Sequence, residues 1–299
     1  MTRLANHACK VTAYRTTAVG FAAQNPQFFI QQPSNAIEIT DLRMQFKIEK
    51  SLEKTPNRCE VTITNCSSTT RAFLQTKPLV VRIDAGDDDN IRHLFTGDLR
   101  HGYSKIDGTE WLTVLELADG DRAYRNARVS RSYGKGTSVV TALKEAAAAM
   151  GLQLSNDILA SADLQKQFAT GRTLHGPARE ELTRLLAPFG YNWSIQDGRM
   201  QILKDQNASA TTAWVITQDT GRMVGSPEYT TPDKETKPPL LKIKARLFPE
   251  LTPGGSISVA SRDVQGLFRI NKLTHTGDTH GDDWDTETES SPRPGSVST

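Results

Sequence analysis

Apolar residues recur at every second position through the first third of the chain. In DLRMQFKIEK, Leu42, Met44, Phe46 and Ile48 alternate with Arg43, Gln45, Lys47 and Glu49. Successive side chains of a strand point to opposite faces, so this spacing predicts a strand with one buried and one wet face. CEVTITN repeats it, with Val61 and Ile63 set against Thr62 and Thr64, and the intervening SLEKTPNR supplies Pro56 and Asn57 for a hairpin loop. PLVVRIDAGDDDN predicts a short apolar strand ending in a glycine-aspartate turn. LFTGDLRHGYSKIDGTEWLTVLEL predicts a hairpin turning at Asp107 and Gly108, residues that tolerate the positive φ of a tight turn. Trp111, Thr113, Leu115 and Leu117 then share one face of its second strand. Together these segments predict a β-domain over roughly residues 10–120.

The period then changes. In GTSVVTALKEAAAAMG, Val139, Val140, Leu143, Ala146, Ala147 and Met150 recur at helical spacing, with Thr137 or Ser138 as cap and Gly151 as terminator. GPAREELTRLLAPFG predicts a second helix with Pro177 in its first turn and Glu180 and Glu181 near its positive N-terminus. Leu182, Leu185 and Leu186 form its buried stripe, and Pro188 stops it. YNWSIQDGRMQIL reads as a hairpin with Asp-Gly at the turn, completing a small α/β unit. KDQNASATTA is a polar connector, after which alternation returns. In LLKIKARLF, Leu241, Ile243, Ala245 and Leu247 face one way, and Lys242, Lys244 and Arg246 the other. TPGGSISVAS and GLFRINKLTH predict further strands, and TESSPRPGSVST has little to bury and reads as a mobile end.

Composition narrows the classes. The 299 residues suffice for two or three domains, and a formal net charge of +2 demands no nucleic acid partner. Three cysteines, Cys9, Cys59 and Cys66, show no metal spacing, and an odd count argues against a secreted disulfide framework, so a reduced cytosolic chain is expected. The N-terminal stretch has no continuous apolar run, so no signal peptide and no stable membrane insertion are expected.

Candidate chemistry is sparse. SYGKGTS (132–138) precedes a helix but lacks the Walker spacing, since Lys135 is followed by Gly136 and position 129 is Val; the amides at the helix start still attract an anion in principle. DAGDDDN (84–90) has Gly86 in its third place and Asp89 in its sixth, so it fails as a calcium loop and reads as a solvated turn. Lys242, Lys244 and Arg246 make a basic face with only Phe248 nearby, which suits a wet strand face or a charged subunit contact. HTGDTHGDDWDTE (275–287) is the densest stretch. His275, Asp278 and His280 include ligand types for zinc or another transition metal, but such a site needs ligands and orienting groups from more than one turn. The preferred reading is structural, with Asp282, Asp283, Asp285, Glu287 and Glu289 as an exposed acidic edge anchored by Trp284. No catalytic, cofactor-binding or metal residue is assigned.

Several segments, taken in order, resemble the hub protein of phage tail baseplates, the late control protein D family. The first is FTGDLRHGYSKIDGTEWLTVLELADGDRAYRNARVSRSYGKGTSVVTALKEAAAAMGL, with its GDLR (97–100), its Gly-Asp (120–121) and its Gly-Thr-Ser (136–138). The second is TGRMVGSPE (220–228), and the third runs from LLKIKARLF through HTGDTHGDDWDTE. The resemblance covers nearly the whole chain. It implies a mainly β fold in which two tail-tube-like β-domains, 1–122 and 206–290, flank a small α/β domain, 123–205, before a flexible tail, 291–299. It also implies a non-enzymatic virion protein made in the host cytoplasm: the baseplate hub, preferably of a contractile tail. Such hubs are homotrimers that match a sixfold tail tube to a threefold central spike and line part of the lumen. The implied partners are the tail tube protein, the central spike protein, other baseplate proteins and the tape measure protein, with no specific nucleic acid and no cofactor. The rival readings are a metal-dependent cell-wall hydrolase using His275, Asp278 and His280, a distal tail or tube terminator protein, and a carbohydrate-binding adhesin.

Overall fold

Alternating apolar residues become sheet, and the two predicted helices fall in a small inserted unit; a short helix at Ser68–Leu74 in the first β unit was not predicted. A computed structural model describes residues 7–16, 36–87, 90–154, 156–204, 208, 213–230 and 239–293. The first β unit contains β1 (His7–Tyr14), β2 (Ala36–Ile39), β3 (Met44–Ser51), β4 (Arg58–Thr64), helix α1 (Ser68–Leu74), β5 (Val80–Asp87), β6 (Asn90–Asp107) and β7 (Glu110–Ala118). The insert follows with α2 (Asp121–Asn126), β8 (Arg128–Tyr133), α3 (Val139–Ala149), β9 (Gln153–Leu154), α4 (Asn156–Leu159), β10 (Arg172–Pro177), α5 (Ala178–Leu186), β11 (Tyr191–Gln196) and β12 (Arg199–Lys204). The second β unit is β13 (Ala213–Thr217), β14 (Met223–Tyr229), β15 (Leu241–Arg246), β16 (Ser256–Ala260), β17 (Gln265–Asp278) and β18 (Trp284–Pro292).

The two β units are fused into one sheet. Its strand order is β14-β15-β18-β17-β3-β4-β7-β6-β5-β1-β2, with β16 on β17 and β13 on β16. β17 is the spine. One of its edges carries β18; the other carries β16 opposite Gln265–Arg269 and β3 opposite Lys272–Asp278. The switch falls at Ile270 and Asn271, where the β18 register shifts and the Asn271 carbonyl accepts from the Leu52 amide at 3.0 Å. A bulge at that point adds twist, which lets one long strand serve two units.

Three apolar cores result. Met44, Phe46, Ile48, Val61, Ile63 and Leu115 lie in the first, and burying each such side chain contributes about 1.5–3 kcal/mol. α3 and α5 pack against the β11–β12 hairpin through Leu143, Leu182, Leu186 and Trp193 in the second. Leu241, Ile243, Ile257, Phe268 and Leu273 belong to the third. The expected inward faces are therefore seen in β3, β15 and α3. Asp197 (φ 51°) and Gly198 (φ 75°) make the predicted Asp-Gly turn, and Gly151 (φ 65°) follows α3.

Several expectations are corrected. Trp111 is exposed rather than continuing the inner face of β7, because the end of the β6–β7 hairpin reaches beyond the core. Thr64 is buried although the alternation had placed it outside. Pro177 ends β10 and caps α5 instead of sitting in its first turn. The first part of the stretch read as a mobile end is strand: Thr288 and Ser290 are buried in β18, which also contains Ser291 and Pro292 of the expected tail. Positions 294–299 and, of the connector read at 204–213, positions 205–207 and 209–212 lie outside the described residues, while Lys204 ends β12 and Ala213 begins β13. Among the described residues no helix is long and apolar enough to cross a membrane.

Candidate functional site

β17 and β18 carry HTGDTHGDDWDTE as a hairpin inside the sheet, and its would-be metal ligands are separated and committed elsewhere. His275 points inward, fully buried between Ile48 of β3 and Thr286 of β18, with Nδ1 2.8 Å from the Thr286 hydroxyl. Burial, with the nearby Lys50 charge, pushes its pKa down to about 3, so it is a neutral core imidazole. Asp278 pairs with Gln45 across the strands and takes the Arg43 guanidinium at 2.7 Å and the Gln45 amide at 2.9 Å. The Arg43 hydrogen bond is the chief cause of a carboxyl pKa lowered to about 2. His280 lies in the turn, its ring on the Thr279 hydroxyl at 3.0 Å. Among the described residues no group of three His, Cys, Asp or Glu is arranged to hold a metal. Trp284 is the expected anchor: it stacks on His7 at 4.4 Å and meets Phe46 edge-on at 5.5 Å, and the Trp284 and Phe46 rings both lie over the bare Gly277.

The acidic edge is not an edge. β18 lies between β15 and β17, and its acids face the basic strand beside it, with Lys242–Glu287 at 2.9 Å and Lys244–Asp285 at 2.8 Å. The two charged stretches read separately in the sequence neutralise one another on the wet face of the sheet; Asp282 and Asp283 remain exposed in the turn. The helix-start amides of SYGKGTS are also taken. Val139 and Val140 donate to the carbonyls of Lys166 and Leu164 at 2.9 and 2.8 Å, so these two amides are not open to an anion. In DAGDDDN, Asp84 is held by Arg82 at 2.8 Å, Gly86 lies within β5, and positions 88 and 89 fall outside the described residues.

What the structure does assemble is a polar collar between the first β unit and the insert. At the entry, the GDLR and Gly-Asp motifs interlock. Asp98 accepts from both the backbone and the side chain of Arg122, while Arg100 and Arg125 both reach Asp121. Asp98 and Asp121 are buried, so each carboxylate depends on these partners. Burial drives the Asp98 pKa up against the lowering effect of Arg122. On the far side, the β11–β12 turn plugs into the β body. Asp119, fully buried, accepts the Asp197 amide at 2.6 Å and the Gly198 amide at 3.0 Å. Lys50, only 2 % exposed, donates to both Asp197 oxygens at 2.9 and 3.0 Å. Burial works to raise the Asp197 pKa, but the Lys50 charge and hydrogen bond prevail and hold it low. Asn57 closes the joint by donating to the Ile195 carbonyl and the Gln196 side chain, and Gln196 donates in turn to the Ser51 carbonyl. On this far side eight residues from four sequence regions thus fix the β11–β12 turn to the sheet. The sequence reading missed this set; its one local signal was Lys50 falling at an inward position of β3.

Exposed apolar residues mark two surfaces. Tyr103, Ile106 and Trp111 lie on the outer part of the β6–β7 hairpin; Trp214, Val215, Val224, Tyr229 and Leu267 lie on the second β unit. No protein-family model matches the sequence, and no curated protein matches it significantly. Solved structures do match the fold. A 43 kDa tail protein of prophage MuSo2 from Shewanella oneidensis aligns with TM-score 0.63 at 10% identity, covering 97% of each chain. A tail protein from Neisseria meningitidis MC58 aligns with TM-score 0.60 at 11% identity, covering 95% of this chain and 96% of that one. An Escherichia coli component of the type VI secretion system, described as structurally similar to bacteriophage T4 tail proteins gp27 and gp5, aligns with TM-score 0.55 at 12% identity over 85% of this chain and 74% of that one. The chain thus has, along almost its whole length, the mainly β fold found in phage tail proteins.

Proposed function

We propose that this protein is a non-enzymatic structural part of a phage tail, the baseplate hub, and acts as a homotrimer. In this role it joins the sixfold tail tube to the threefold central spike, contacts other baseplate proteins and the tape measure protein, and lines part of the lumen. The observation that carries the reading is the fusion of two β units edge to edge through β17, with the insert held off the sheet by a buried collar. A chain with two such units turns three copies into six positions around an axis, which is what a threefold-to-sixfold adaptor requires. The full-length fold likeness to tail proteins supports the same reading. Cross-linking with mass spectrometry on assembled tails tests it. The expected result is cross-links from this chain to both tube and spike proteins. Cross-links to the tube alone, at the end nearest the capsid, would assign the chain as a tube terminator instead.

A further inference from the structure

The insert meets both β units at one place, and a cleft of about 110 Å³ lies there. Its insert wall comes from the β11–β12 hairpin, where Asn192 stands opposite Leu203 and Ser194 opposite Gln201. Paired residues share a face, so all four turn away from the buried Trp193 and Ile202 of the insert core. Leu52 of the β3–β4 loop forms a second wall and Arg269 of β17 a third. The walls are held together. Gln201 Nε2 donates to the Pro253 carbonyl at 3.0 Å, and a methyl at Gly254 would stand 2.7 Å from Leu203.

Charge is the informative feature. Lys204, at the end of β12, and Arg269 line the cleft, and among the described residues no carboxylate does. Lys204 pairs with Asp163 at 2.7 Å, but that carboxylate also takes Lys166 at 3.1 Å, so two ammonium groups share one countercharge. Arg269 uses its Nε on the Asn271 side chain at 3.1 Å, a neutral partner. Ser194, 2% exposed, donates to Gln201 at 3.3 Å and adds a buried hydroxyl to the floor. Two half-buried cations on facing walls of a narrow cleft attract an anion more strongly than they would in open water.

We propose that this cleft binds a small tetrahedral oxyanion of the phosphate class; the site goes beyond the hub reading and does not depend on it. Size and donor arrangement select the ligand. Sites for drug-sized molecules begin at about 300 Å³, so this cleft takes an ion and leaves no room for a nucleotide. A guanidinium and an ammonium reaching in from different walls suit oxygens spread in three dimensions, whereas a planar carboxylate is met best by a single guanidinium fork. The bound anion ties Lys204 of the insert to Arg269 of the second β unit. The collar does not reach this junction, since its residues come from the first β unit and the insert alone.

Calorimetric titration of the full chain with inorganic phosphate, against chloride at fixed pH and ionic strength, tests the site. One phosphate per chain is expected, and saturating phosphate should raise the melting temperature by about 2–4 °C. Lys204→Gln changes a side chain that is 42% exposed, so the variant should fold, and it is expected to weaken phosphate binding by about tenfold or more. Asn192→Asp, at an exposed position, brings a carboxylate to the two cations. It is expected to remove phosphate binding while keeping the phosphate-free melt of the native chain. Absence of binding, an equal response to acetate, or native affinity in both variants overturns the proposal. Tighter binding of a short oligonucleotide without terminal phosphates also overturns it, because the surface would then read a nucleic acid backbone instead of a free ion.

Discussion

Lys50→Met removes the ammonium that Asp197 depends on, and its cost follows from the geometry of the collar. Lys50 is 2% exposed and donates to both carboxylate oxygens, so the variant strands a carboxylate in a largely dry joint. Breaking a buried pair from one side costs about 3–5 kcal/mol. The Asp197 side chain retains 26% exposure and regains some water, which favours the lower end of that range. Asp197→Asn strands the opposite charge, on a side chain with less access to solvent, and is expected to cost at least as much. In the double variant neither charge remains, and the net loss should fall to about 1–2 kcal/mol, giving a coupling energy of several kcal/mol. The sign with pH is fixed by the depressed folded-state pKa of Asp197. The pair's contribution is full above the usual carboxylate range and is lost as pH falls through the lower folded value. Urea unfolding of the four proteins at pH 7, followed by far-UV circular dichroism and by the summed fluorescence of the four tryptophans, measures the cycle. If the double variant loses the sum of the two single losses, the pair is not a coupled joint and the account of the collar is wrong.

His275 gives the chain an acid-sensitive core. Its folded pKa of about 3 lies below its ordinary 6.5, so the unfolded state binds a proton first as pH falls. Stability is therefore unaffected above about pH 6.5 and declines below it, by about 2 kcal/mol at pH 5. His93, lowered chiefly by burial, adds a slope of the same sign. His275→Gln, which can keep the bond to Thr286, should flatten the melting temperature between pH 7 and pH 5; an unaltered slope would count against a buried neutral imidazole. Gly277→Ala is expected to cost about 1–3 kcal/mol, because the added methyl would sit 2.3 Å from Phe46 and 2.8 Å from Trp284. Phe46→Leu in the same chain should recover part of that loss, and a Gly277→Ala melt equal to the native one would show the two rings are not held there.

Strands β3 to β7, β11, β12 and β15 to β17 and the helices α3 and α5 were legible because their signals are local, whereas β1, β2, β8, β10 and β13 were not read. Leu241, Ile243 and Ala245 alternate with Lys242, Lys244 and Arg246 whatever lies beside them, and Asp197-Gly198 supports a tight turn in any context. Partnership between strands is not local. Alternation shows that β15 has a wet basic face and β18 a wet acidic one, but not that they are neighbours, so the acids of β18 read as an exposed edge. The long β17 was likewise readable as strand. Its division between β16 and β3, which makes two β units one sheet, depends on a bulge at Ile270 that no turn residue announces.

The collar illustrates the same boundary from the side of chemistry. Continuing the β3 alternation past Ile48 places Lys50 on the inner face, where a lysine persists only with a partner. That much was available from ten residues. The partner stands 147 positions away, in a turn whose aspartate is fully explained locally by its positive φ. Asp197 therefore carries two requirements at once, turn geometry and countercharge, and only the first leaves a mark in its own neighbourhood. The same holds for GDLR and the Gly-Asp after β7. Each is an ordinary polar interruption alone, and their meaning lies in the crossed pairing of Asp98 with Arg122 and of Arg100 with Asp121. GDLR and the Gly-Asp each supply half of one joint, so the two segments together carried information that neither held alone.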